Sequence, residues 1–186
     1  NFSGEFQNLL DRYWCDSYWK GNITCNIGQP TANPWFLSTL WYAIYYAQRA
    51  DVTPGKADID NFKSRVDQTI QRLGPVGLGA EQIAPASSLL YPGQTDFRLQ
   101  AAWPNAWESM STFVDAIMAL LGFNPDAPAD RLSVAPKLPT GWPSMTFSNL
   151  KIGPDRVTVT AAEDNRGASV SFTNLTGQPI TAVATL

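Results

Sequence analysis

The apolar residues change period partway along the chain, and that change limits the fold more than any other feature. After Asn33-Pro34 they fall at Phe36, Leu37, Leu40, Trp41, Ile44 and Tyr45, three and four apart, which predicts a helix ending near Ala50. The Pro-Gly of "DVTPGK" (Asp51 to Lys56) reads as a turn. Ile59, Phe62, Val66, Ile70 and Leu73 mark a second helix, and Met110, Phe113, Val114, Ile117, Met118 and Leu121 the inward face of a third, from Ala106 to Gly122. From Met145 the pattern alternates. Strands are expected over Met145 to Ile152, Arg156 to Ala162, Ser169 to Asn174 and Ile180 to Thr185, separated by the turn sequences "GPD", "EDNRG" and "LTGQP". Four such strands form a meander that needs another surface over its apolar face, here Val157, Val159 and Ala161. The expected layout is a helical part over 1–124, a linker over 125–144 and a small antiparallel β-domain over 145–186.

Charge excludes several partners. The 186 residues carry a net charge of −3 and only 16% charged residues, without the basic face that nucleic acid or an anionic membrane requires. No apolar run is long enough to span a bilayer. Histidine is absent, which removes a histidine triad and imidazole metal ligation, and the two cysteines supply too few ligands for a metal site. Neither a metal nor a cofactor is expected. Cys15 and Cys25 read as an intrachain disulfide closing a short loop, the alternative being two buried thiols. Sequons at Asn1, Asn22 and Asn174 agree with an exported, secreted or cell-surface glycoprotein.

The stretch "DRYWCDSYW" (Asp11 to Trp19) packs one Arg, two Asp and four large aromatics into nine residues. A core segment would avoid those charges, because burying an unpaired charge is costly. Aromatic faces interleaved with fixed hydrogen-bonding groups suit a flat, hydroxyl-rich ligand such as a sugar. Arg12 offers a rigid fork of donors, and the Asp16 carboxylate accepts from vicinal hydroxyls. A structural Arg–Asp pair is the plain alternative. Downstream, the Gly/Pro-rich loop from Gly74 to Gln94 contains a single carboxylate, Glu81, able to orient and deprotonate a water. Glu108 is its rival, lying beside aromatics in the first turn of the third helix, where the helix dipole already favours a negative charge. Trp41 reads as core or rim.

Arg12-Tyr13-x-x-Asp16-x-Tyr18, followed at a distance by Asn33-Pro34-Trp35, resembles glycoside hydrolase family 15, the glucoamylase family, whose R-Y-x-x-D-x-Y segment leads into G-N-P-W and a helix. The insertion "KGNITCNIGQPTA" lengthens the gap before Asn33. "GLGAEQIAP" is similar to the family loop holding a Glu-Gln pair, and "AAWPNAWESM" matches the following aromatic segment at Trp103 and Ala106. The resemblance covers Asp11 to Gly122. It implies that Glu81 is the catalytic base, that Arg12 and Asp16 grip the sugar, and that Trp35, Gln82 and Trp103 line its pocket.

The same resemblance implies a mainly α, then β chain: part of an (α/α)6 toroid followed by the small antiparallel β-module. The expected activity is exo-hydrolysis of α-linked oligo- or polysaccharide with inversion, releasing glucose. Inversion needs a second carboxylic acid, which the family carries upstream of the Arg-Tyr segment. The chain is therefore expected to be the base-bearing, C-terminal piece of a larger enzyme, inactive without the remainder of the polypeptide. Alternatives are another (α/α)6-barrel carbohydrate enzyme (a phosphorylase, trehalase or rhamnosidase), or a non-catalytic carbohydrate-binding or surface glycoprotein.

Overall fold

Pro34 and Trp35 lead into helix α1 (Phe36–Arg49) in the computed structural model, which describes residues 7–13, 15–16, 34–73, 77–82 and 104–186. The buried line of α1 is Phe36, Leu40, Ala43 and Ala47, at helical spacing. Trp41 and Tyr45, expected on that face, are instead 58% and 48% exposed. Arg49, in the last turn, forks onto Asp58 in the first turn of α2 (Ala57–Ile70), with Nη2–Oδ1 at 2.7 Å and Nε–Oδ2 at 2.8 Å. A cation at a helix C-terminus and an anion at an N-terminus each favour their helix, and the fork closes the intervening turn.

The chain divides into two units, Asn1–Tyr46 with Asn61–Ala116, and Ala47–Asp60 with Ile117–Leu186. In the first, the α2 positions Phe62 and Val66 are buried as the periodicity predicts, while Ile70 is exposed. A π-helical turn (Ala106–Met110) precedes α3 (Ser111–Leu121). The face of this segment differs from the hydropathy reading. Its buried line is Glu108, Ser109, Thr112, Ala116 and Leu120, while Val114 is exposed. Ser109 turns inward with its hydroxyl donating to Ala80 O in the preceding loop.

The second unit contains two sheets. Strands β3 (Ser144–Ile152), β4 (Asp155–Asp164) and β5 (Gly167–Asn174) form an antiparallel meander, within two residues of the expected strands. A bulge between Phe147 and Leu150 shifts the register, with Asn149 in the left-handed conformation at φ 63°. Val157, Val159 and Ala161 are buried, the face predicted for β4. The second sheet corrects two expectations. The stretch read as a linker holds β1 (Asn124–Asp126) and β2 (Arg131–Val134), paired antiparallel. The last strand, β6 (Thr181–Ala184), leaves the meander and pairs parallel with β2. Leu121, Leu132, Val134, Ile152, Val157 and Val159 share one core with Phe147 and Phe172 packed against it.

The partial (α/α)6 toroid is not what the chain builds. Among the described residues there are three α-helices and two three-stranded sheets, a small α+β arrangement. The physical reason is visible at the end of α3, where Leu121 packs among the strand residues Leu132, Val134, Ile152, Val157 and Val159. Gly122 ends that helix at φ 61°. Phe123 N–H donates to Met118 O and Gly122 N–H to Ala119 O, each at 3.1 Å, the paired bonds of a Schellman cap.

Candidate functional site

Leu10 is held against the start of α1 by three hydrogen bonds. Its carbonyl accepts from Trp35 N–H at 2.9 Å and Ser38 Oγ at 3.1 Å, and its N–H donates to Thr39 Oγ1 at 3.0 Å. Cys15 lies in the left-handed region at φ 60°, and Arg12 Nη2 lies 3.1 Å from Asp16 Oδ1, with Asp16 fully buried. Arg12 also lies over the Trp35 ring, 4.1 Å from its centroid, and beside Tyr13 at 4.8 Å. Such stacking is worth on the order of 1 kcal/mol.

The Glu81-Gln82 loop reaches the same place through backbone pairing. Trp35 and Gln82 form an antiparallel bridge, so the two residues lie side by side. Both are fully buried. Among the described residues the Gln82 carboxamide finds no hydrogen-bond partner for either Oε1 or Nε2, a costly arrangement for a polar group out of water. Burial, then the charge of the nearby Glu81 and side-chain hydrogen bonding with it, hold the Glu108 carboxyl above its ordinary range, with Arg12 opposing them.

Of the predicted residues, the structure thus links Arg12, Asp16, Trp35, Glu81 and Gln82, and adds Glu108, which sequence reasoning had set against Glu81. Trp103, Cys25, Asn1 and Asn22 lie outside the described residues. Asn174 ends β5 with its Oδ1 accepting from Thr176 N–H at 2.9 Å and Gly177 N–H at 3.1 Å, so the side chain caps an exposed turn.

Asp11 was also missed. It lines a cavity of about 510 Å³ with Arg12, Ser38, Trp41, Tyr42 and Tyr45. Burial, then the nearby Asp16 charge, push the Asp11 carboxyl up to about 7. The signal available beforehand was the exposed aromatic set at positions 41, 42 and 45, too many for a solvated helix face. The second unit has its own cleft of about 310 Å³. Its Lys56 and Glu163 are paired with each other, and it holds no carboxylate pair. Among the described residues no acidic or cysteine cluster has the arrangement to hold a metal ion, and no helix is long and apolar enough to cross a membrane.

Compared with protein families, with curated proteins and with solved structures, the chain finds no match.

Proposed function

We propose that this chain is the base-bearing part of an inverting, exo-acting glycoside hydrolase that releases glucose from α-linked oligo- or polysaccharide. One observation carries the reading: the Arg12–Asp16 pair, stacked on Trp35, adjoins a Glu-Gln dipeptide whose Gln82 is fully buried. The stacked guanidinium and the Gln82 carboxamide, which has no partner among the described residues, supply donors and an acceptor of the kind that sugar hydroxyls complement. The cavity beside Arg12 is rimmed by aromatic rings suited to the apolar face of a pyranose.

In the proposed step Glu81 takes a proton from water as the water oxygen bonds to the anomeric carbon. The glycosidic C–O bond breaks, and the departing oxygen takes a proton from a general acid. As the resemblance implies, that general acid is supplied by the remainder of the polypeptide, at the roughly 6.5–9.5 Å from the base that inversion needs.

The test is Glu81→Gln in the complete enzyme, which preserves shape but removes the base. Turnover on maltose should fall by roughly 10²–10⁴-fold with KM little changed. Arg12→Lys, which keeps the charge but loses the fork, should weaken ground-state and transition-state binding together. Near-normal turnover of the Glu81→Gln enzyme overturns the assignment.

A further inference from the structure

Ser38, Trp41, Tyr42 and Tyr45 stand at positions i, i+3, i+4 and i+7 of α1, so they share one face of the helix. That face is not core. Its three rings are exposed, while the buried line of α1 runs through Leu40, Ala43 and Ala47. Aromatic surface gathered in one place and left open to water marks a binding site. Here it walls a cavity of about 510 Å³, within the roughly 300–1,000 Å³ of small-molecule sites. Leu10, Asp11 and Arg12 complete the wall, on a segment tied to the helix by the bonds of Leu10 to Ser38 and Thr39. Of the residues assigned above to the catalytic sugar, Arg12 lines this cavity and Asp16, Trp35 and Gln82 do not.

The rings are set before any ligand arrives. Tyr42 and Tyr45 lie 6.0 Å apart at their centroids, and Tyr46 braces them at 6.2 and 5.4 Å. Arg65, buried on α2, stacks on Tyr46 at 4.7 Å and on Tyr42 at 5.6 Å. Charge then selects the ligand. Rings around a carboxylate suit a quaternary ammonium, but a cation here meets Arg12 in the wall and Arg65 already on the Tyr42 ring. An anion meets Asp11, the one acidic group among the described lining residues. A neutral ring with an apolar face and several hydroxyls meets neither obstacle. Asp11 Oδ1, buried without a partner among the described residues, is the acceptor that such hydroxyls need.

We propose that Asp11, Trp41, Tyr42 and Tyr45 form a second sugar subsite, which holds a neutral pyranose outside the catalytic constellation and shares Arg12 with it. The proposal rests on the functional reading above for its choice of sugar. The pyranose stacks on the exposed rings, and one of its hydroxyls donates to Asp11 Oδ1.

Isothermal titration of this chain with maltotriose tests the subsite. Trp41→Ala should weaken binding about 3–10-fold, the contribution of one ring stack. Trp41→Phe, which keeps a ring, should recover most of that loss. Asp11→Ala should weaken binding about 10-fold, the loss of one hydrogen bond to a carboxylate. Trp41 is exposed, so its replacement leaves the fold in place, which thermal unfolding checks. Maltotriose that does not bind, or binds both alanine variants as well as the unsubstituted chain, overturns the proposal. Equal weakening by Trp41→Ala and Trp41→Phe overturns it too, as does choline binding more tightly than the sugar. Trp41-dependent binding by this chain that disappears in the complete enzyme would mean that the rest of the polypeptide covers the face, and also overturns it. The subsite and the base fail separately: normal turnover with Glu81→Gln removes the base but leaves Trp41-dependent binding, whereas unaltered binding by Trp41→Ala removes the subsite but leaves the base.

Discussion

Replacing Asp11 by Asn should stabilise the protein above neutrality and do nothing in acid. Asp11 follows the pinned Leu10, so it cannot swing away, and its Oδ1 is buried without a partner among the described residues. Burial and the Asp16 charge raise its carboxyl from 3.8 to about 7. The folded state therefore binds a proton that the unfolded chain has already released across that window. By linkage, stability is greatest below about pH 4, declines as pH rises toward 7, and stays reduced above it. The gap between 3.8 and about 7 corresponds to about 4 kcal/mol in full. Asp11 borders an open cavity, and solvent screening there reduces the expected effect to about 2 kcal/mol. Asn has the same shape and no charge, so the difference between wild type and Asp11→Asn isolates this residue from Glu108, which both proteins share. Urea unfolding followed by tryptophan fluorescence at a series of pH values gives that difference directly. A difference that stays flat from acid to alkaline pH, or a variant less stable than wild type at about pH 8, would refute the reasoning.

The remaining predictions concern two local structures. Gly122→Ala should destabilise the second unit: φ 61° alone costs about 1–3 kcal/mol for a residue with a Cβ, and that Cβ would lie 2.7 Å from Ala135 O. Thermal unfolding checks this, and an unchanged midpoint would show that the Schellman cap relaxes freely. Cys15 and Cys25 should be joined, a constraint worth on the order of 2–3 kcal/mol. Intact mass with and without reduction before alkylation decides it, and two thiols alkylated without reduction would rule the bridge out.

Where a segment's partners lie close in sequence, its structure was legible. Helix α1 begins at the expected residue after Pro34, and β3 to β5 fall where alternation and turn residues place them. Two kinds of information were not local. The strand β6 looks like a fourth meander strand in composition, but its partner is β2, which nothing within its own few residues specifies. The orientation of α3 was misread because hydropathy assigns Glu108, Ser109 and Thr112 to solvent, whereas all three are buried, Ser109 with its hydroxyl on Ala80 O. The toroid came from motif likeness alone, and motifs constrain a site far more than the architecture around it. At the site, residue chemistry drew attention to Arg12, Asp16 and Glu81, and the family resemblance added Trp35 and Gln82. That Glu108 is a companion of Glu81 is a fact of tertiary packing, as is the burial of Asp11.

The parallel pairing of β2 with β6 sets the order in which the second unit can be assembled. β3, β4 and β5 are joined by short reversals at Gly153-Pro154 and Asn165-Arg166, so their hairpins close locally and early. Leu132 must instead wait for Ala182, fifty positions on, a closure whose entropy alone is about 3–4 kcal/mol. During synthesis β2 leaves the ribosome long before its partner exists. Until β6 docks, β2 presents an unpaired edge carrying Leu132 and Val134, the kind of edge to which a second chain can add. The yield of folded protein is then governed by a race between intramolecular docking and intermolecular strand addition. Dilution and a slow rate of synthesis should favour the first, whatever the stability of the finished molecule.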